Sequence, residues 1–258
     1  YSIASVVDDI ELGVSKIIRG EDHITNSAIH IQMFEALGAK APNFSHASLL
    51  KSKDGEMSKR IGGFDIATLR AKGMQPLAII SFLAKLGSSD PIEVRGSIDE
   101  IISEFDMNKF SKSTANYDVA ELVRINSKLI HSLSYEQVQE QLPENIDEHF
   151  WEAVKPNLTT IDEIKDWWRI CKESLQVADL DLEFTKAACN LLPEGDWDAN
   201  TWGQWVAKIK ENTGRSGKEL FMPLRMALTG MSHGPELKVL LPLLGREKAV
   251  ARLNGKEA

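Results

Sequence analysis

Residues 13–38, GVSKIIRGEDHITNSAIHIQMFEALG, pass from a β-branched run into a helical period within a single turn of chain. Residues 14–18 follow a glycine at 13 and stop at Gly20, the pattern of a short buried strand. Over residues 24–37 the apolar side chains of Ala28, Ile31, Phe34 and Leu37 recur every three positions. With Asn26 or Ser27 as N-cap and Gly38 as stop, they predict a helix packed on a sheet. Residues 3–7 read as a further buried strand and residues 44–50 as another. Strand, helix and strand, followed by a polar, glycine-bearing loop over 51–63, make half of a doubly wound nucleotide-binding fold.

Beyond Gly63 the punctuation is helical. Pro76 stands where a first-turn proline belongs, and Gly87 closes that helix. Capping boxes at Ser97 with Glu100, Ser134 with Gln137 and Thr160 with Glu163, and a looser one at Asp118 with Glu121, mark further starts. Ile164, Trp167, Cys171 and Leu175 form one apolar stripe, which reads Cys171 as core packing; Trp202, Trp205, Val206 and Ile209 form a second. The expected fold class is therefore mainly α with a small α/β remnant. Residues 1–62 read as the α/β part and 63–150 as connecting helices. Residues 151–258 read as a last, all-helical domain, entered near Pro143 and Pro156.

The chain has 258 residues, 43% hydrophobic and 26% charged, a globular composition that excludes disordered, collagen-like and disulfide-stapled classes. No apolar run nears the roughly 18 residues needed to span a bilayer, and no basic leader precedes an apolar core, so membrane insertion and secretion are not indicated. Cys171 and Cys189 lack the spacing of a disulfide framework or a zinc site, which leads us to expect a reducing, cytoplasmic setting and no zinc. The first residue is Tyr1, not Met, and reads as the start of a fragment. The net charge of −8 is unevenly spread: residues 131–207 hold 5 basic and 16 acidic residues, residues 208–258 hold 10 and 5. The basic tail is a candidate contact for a polyanion, with simple solvation of its lysines as the alternative.

The segment with the most chemistry is 51–60, KSKDGEMSKR. A loop that carries Lys59 beside Ser58, just after a strand of a nucleotide-binding sheet, can bring an ammonium onto a triphosphate. There it neutralises charge developing on the α-phosphate and the leaving pyrophosphate.

Residues 1–50 together with GEMSKR resemble the second half of the catalytic domain of bacterial glutamyl-tRNA synthetases, a class I family. The family's loop is Lys-Met-Ser-Lys-Ser; here Glu56, Met57, Ser58, Lys59 and Arg60 occupy it, so its first lysine is replaced and its second is kept. Residues 105–130, FDMNKFSKSTANYDVAELVRINSKLI, resemble the family's stem-contact and linker region, and residues 219–253 its helical anticodon-binding end.

The resemblance implies an enzyme that joins L-glutamate to ATP as glutamyl-adenylate and passes it to tRNA(Glu), with tRNA(Gln) left open as a second acceptor. Mg²⁺ would ride on the ATP phosphates, no membrane would be involved, and the protein would be a monomer. Its ATP set is Met57, Ser58, Lys59, Asp22 and His23; its glutamate set is Tyr1 and Arg19. Ser5 joins the latter as a strand neighbour on the face of Tyr1. A guanidinium at Arg19 forms a two-pronged bond with a carboxylate and so selects an acid over an amide; an ion pair of Arg19 with Glu21 or Asp22 is the alternative. Asp8 and Asp9, on opposite strand faces, read as solvated. Charge and placement nominate Arg70, Lys72, Lys109 and Lys112 for the inner corner of the tRNA, and Lys208, Lys210, Arg215, Lys218 and Arg225 for its anticodon arm. The family's His-Ile-Gly-His motif is absent, so this stretch alone is expected to contact tRNA without activating glutamate. A glutaminyl enzyme, with its β-barrel anticodon domain, and a tRNA-modifying paralogue, which lacks a helical one, are disfavoured by the helical pattern. A non-catalytic RNA-binding or scaffold protein descended from a synthetase stays as the alternative.

Overall fold

The strand expected over residues 3–7 does not form. In the computed structural model, which describes residues 1–52, 65–175, 177, 180–198, 200–232, 234 and 236–257, Ser2–Glu11 is a helix, α1. Ile3, Val6 and Ile10 recur at spacings of three and four, which a helix stacks on one side, and Val6 is fully buried. The backbone fixes the stop. Gly13 takes φ +64°, its N–H meets the Ile10 carbonyl, and the Val14 N–H meets that of Asp9. This Schellman arrangement outweighs the β preference of valine and isoleucine.

There follow β1 (Lys16–Gly20), α2 (Ile24–Ala36), β2 (Asn43–Ala47) and β3 (Leu50–Ser52). β1 and β2 pair in parallel, Ile17 opposite Phe44 and Arg19 opposite His46, with α2 as the crossover. The strand expected over 44–50 is split in two. The chain leaves the first sheet after Ala47, and β3 pairs in parallel with a short strand over Ala115–Tyr117. Nothing local in the sequence announces so distant a partner. α2 also starts earlier than expected, with His23 at the N-cap position, and turns Ser27, His30 and Phe34 inward. Of the expected apolar stripe Phe34 alone is buried, because a period of three drifts around a helix of 3.6 residues per turn.

The chain divides into two compact units, Tyr1–Leu129 and Ile130–Ala258. The first continues with α3 (Ile66–Ala71), α4 (Pro76–Leu83), α5 (Ile98–Glu104), the Ala115–Tyr117 strand as β4, and α6 (Val119–Ser132), which runs across the boundary. Pro76 opens α4 as expected. Ser97 caps α5 by accepting the Glu100 N–H at 3.2 Å, while the Glu100 carboxylate returns to Gly96 rather than to Ser97. Leu69, Phe82, Tyr117 and Leu122 form the core here, with Phe82 and Tyr117 edge to face at 5.4 Å.

The second unit is helical in all its named elements: α7 (Tyr135–Val138), α8 (Glu148–Val154), α9 (Ile164–Lys172), α10 (Leu182–Cys189), α11 (Thr201–Thr213), α12 (Gly217–Thr229), α13 (Leu237–Leu244) and α14 (Arg246–Leu253). Ser134 and Gln137 form a complete capping box. The box expected at Thr160 lies one residue earlier: Glu163 accepts the Thr159 N–H at 2.8 Å and its hydroxyl as well. Both tryptophan-bearing stripes pack into one large core apart from Leu175, which falls past the end of α9, and in that core Trp205 Nε1 donates to the Ala188 carbonyl at 2.8 Å. Cys171 is fully buried there, and burial pushes its thiol up to about 11. Arg252, 1% exposed, donates to the carbonyls of Ile170, Glu173 and Leu228 at 2.7–3.0 Å, tying the ends of α9 and α12 together. Among the described residues no helix is long and apolar enough to cross a membrane.

Candidate active site

β1 ends at Gly20 and turns at once into a 3-10 segment, Glu21–His23. A Cβ at Gly20 would strike the Asp22 carboxylate, so glycine lets that side chain fold back over the strand end. Asp22 Oδ2 lies 3.7 Å from His23 Nε2, and both side chains are exposed. A solvent-facing carboxylate at the carboxyl end of a parallel strand is suited to accept ribose hydroxyls.

Arg19 is the penultimate residue of β1. Its guanidinium stacks over Phe44 of β2, with Cζ 4.8 Å from the ring centre. Nε and Nη2 are buried and have no hydrogen-bond partner, and no ion pair with Glu21 or Asp22 forms. The guanidinium is thus backed by an aromatic ring and has a buried edge that no acceptor satisfies. Beside it, Ser27 Oγ donates to the His23 carbonyl at 3.0 Å and lies 2.7 Å from His46 Nε2. Through this contact the His46 ring ties α2 to β2.

Tyr1 is 94% exposed. Ser5 bonds back to it, N to O at 3.1 Å, and its hydroxyl reaches the Ser2 carbonyl. The two share a face because α1 is a helix, not because of strand alternation, and Asp8 and Asp9 are likewise helical neighbours. Among the described residues no three His, Cys, Asp or Glu side chains are grouped to hold a metal. Met57, Ser58 and Lys59 lie outside the described residues. A cleft of about 730 Å³ is lined by Lys16, Ile18, Ser45, His46, Phe105 and Lys112.

The basic candidates differ in how committed they are. Arg70, Lys72, Lys112, Lys208 and Lys218 are exposed. Lys109 is paired with Asp90 at 3.0 Å, and Lys210 lies 5.9 Å over Phe221. Arg215 is held by Asp181 at 2.7 Å and by the ring of Phe184; Arg225 is half-buried, which draws its guanidinium below the usual arginine range. Sequence reasoning missed Phe44 and His30. Alternation along β2, which puts Phe44 on the Arg19 side, would have found the first; the second follows Ser27 by one helical turn.

Residues 1–124 match the model of the class I tRNA synthetase (E and Q) catalytic domain, and residues 134–256 that of an anticodon-binding domain. Glutamate–tRNA ligase 1 of Rickettsia bellii is 47% identical over 98% of this chain, that of Zymomonas mobilis 42%, and glutamate–tRNA ligase 2 of Orientia tsutsugamushi 48%. The chain spans 58% of the length of each of these relatives. The crystal structure of a glutamate tRNA ligase from Elizabethkingia meningosepticum in complex with its amino acid matches with a TM-score of 0.73 at 26% identity, over 98% of this chain and 59% of that one. Over 98% of its length the chain follows the fold of that solved ligase, and residues 1–124 and 134–256 carry in order the catalytic-domain and anticodon-binding-domain matches, so that residues 1–124 are assigned to the class I tRNA synthetase (E and Q) catalytic domain.

Proposed function

We propose that the full-length protein is a cytoplasmic, monomeric glutamate–tRNA ligase. The observation that carries this reading is Arg19, a partly buried guanidinium fork on Phe44 with unpartnered N–H groups at a strand end. Arg19, with Tyr1 and Ser5, receives the side-chain carboxylate of L-glutamate. An oxygen of the substrate's α-carboxylate attacks the α-phosphorus of ATP, the bond to the bridging oxygen breaks, and pyrophosphate leaves. The terminal hydroxyl of tRNA(Glu) then attacks the adenylate carbonyl and AMP departs. Asp22 and His23 hold the ribose end of the nucleotide. Lys59, with Met57 and Ser58, meets the charge that builds on the phosphates, where Mg²⁺ adds its own neutralisation. Residues 1–62 supply this chemistry, residues 63–150 the stem contacts through Arg70, Lys72 and Lys112, and residues 151–258 the anticodon contacts through Lys208, Lys210, Lys218 and Arg225. Lys109 and Arg215 join by exchanging an acidic partner for a phosphate.

Exchange of pyrophosphate into ATP, measured on the full-length protein, tests the reading. Arg19→Gln removes the charged fork and should lower kcat/KM for glutamate roughly 10²–10³-fold. Lys59→Ala should lower kcat. Loss of exchange in the unaltered full-length protein, with tRNA still bound, would return the non-catalytic alternative. Lys208→Ala should flatten the salt dependence of tRNA binding by about one unit of slope. Aminoacylation with tRNA(Glu) and tRNA(Gln) in turn identifies the acceptor.

A further inference from the structure

Behind Arg19 lies a buried group that the reaction outlined above does not use. His30 is 5% exposed, and both of its ring nitrogens are buried without a hydrogen-bond partner. It stands on the inward face of α2, one turn past Ser27, and Ser27 is fixed over the strands by His46, the register partner of Arg19. On the strand below, the buried edge of the Arg19 guanidinium, Nε and Nη2, lacks an acceptor. An imidazole without a donor and a guanidinium without an acceptor on packed elements each carry a desolvation penalty that pairing removes.

Four charged or titratable groups bear on this layer: Arg19 from β1, Asp9 from α1, His23 from the turn before α2, and His46 from β2. Burial first, and the Arg19 charge second, hold His30 below the ordinary histidine range, with His23 adding to them and Asp9 opposing. At pH 7 the ring is neutral and one of its nitrogens is an acceptor.

We propose that neutral His30 is a positioning residue for Arg19: its unprotonated nitrogen takes the Nε–H of the guanidinium when a carboxylate arrives, leaving the Nη1 and Nη2 pair square to that carboxylate. This rests on the reading of Arg19 as the partner of glutamate, and deepens it by naming what orients the fork.

Pyrophosphate exchange on the full-length protein, with glutamate and ATP varied separately, tests it. His30→Leu should raise KM for glutamate about tenfold, with kcat and KM for ATP within about threefold of the unaltered protein. His30→Gln, whose amide oxygen is again an acceptor, should bring KM back to within about threefold. KM for glutamate should also rise as the pH falls through the depressed His30 titration, and His30→Gln should flatten that limb. Should His30→Leu fail to fold, His30→Gln and the pH profile decide alone. Equal KM values in the two variants, or a pH profile unmoved by His30→Gln, overturn the proposal. If Arg19→Lys raises KM while His30→Leu does not, the positioning role falls and the reading of Arg19 stands. If Arg19→Lys leaves KM unchanged, both fall.

Discussion

The two units are of equal length and bury their residues in opposite ways. In residues 130–258 helix after helix closes on one core that takes in Trp151, Trp167 and Trp205, and its buried charge, Arg252, has three carbonyl acceptors. In residues 1–129 Ile3, Leu12, Ile18, Ile24 and Leu37 stand exposed, while Arg19 and His30 lie buried with polar atoms unpartnered. Thr185 Oγ1 of the second unit is buried without a partner too, but it is a neutral hydroxyl; an unpartnered guanidinium edge, as at Arg19, costs far more and is kept where something else is to bind. The comparison thus separates a stability unit from a chemistry unit.

The largest test of this contrast is Arg252→Ala. It takes the donor from the buried carbonyls of Ile170 and Leu228 and opens a cavity in the second unit, so the expected loss is roughly 3–5 kcal/mol. All six tryptophans, Trp151, Trp167, Trp168, Trp197, Trp202 and Trp205, lie in that unit, so urea unfolding followed by fluorescence reports it selectively. A loss below about 1 kcal/mol would show that the helix ends hold without the arginine. Next comes pH at the alkaline end. Burial raises Cys171 to about 11 from an ordinary value of 9.0, so its contribution is complete below pH 9 and disappears as the pH climbs through 11. The most it can supply is about 3 kcal/mol. Cys171→Ala should flatten the alkaline limb of stability in the fluorescence signal, and an unchanged limb would assign that loss to other groups. Ser134→Ala, which removes a complete capping box, should cost about 1 kcal/mol in the same assay.

Legibility in the sequence follows the same divide. Helix starts and stops in the second unit depend on neighbours a few residues apart, and Ser134, Gln137 and the tryptophan stripes were readable for that reason. The α/β part depends on partners far along the chain: β3 finds β4 more than sixty residues later, and residues 2–11 become a helix through a glycine stop and tertiary packing against their β-rich composition. The place of Arg19 at a strand end was legible by pattern. Its environment was not, because Phe44 is brought to it by parallel register and His30 by the crossover helix.

His30 gives the smallest effect and the finest test of the divide, since it is a buried histidine of the chemistry unit whose titration burial holds down. Its folded-state pKa is depressed, so the folded chain binds fewer protons than the unfolded one just below the ordinary value of 6.5. The contribution of a neutral His30 is therefore complete above pH 6.5 and declines as the pH falls from there toward the depressed value. Urea unfolding by circular dichroism between pH 7 and 5 should show a low-denaturant component that weakens on acidification, and His30→Gln should remove that dependence. The tryptophan signal, which reports the other unit, should be unaltered by the same substitution. If His30→Gln moves the tryptophan transition and leaves the circular dichroism component as it was, the two units are not the separate stability and chemistry compartments argued above.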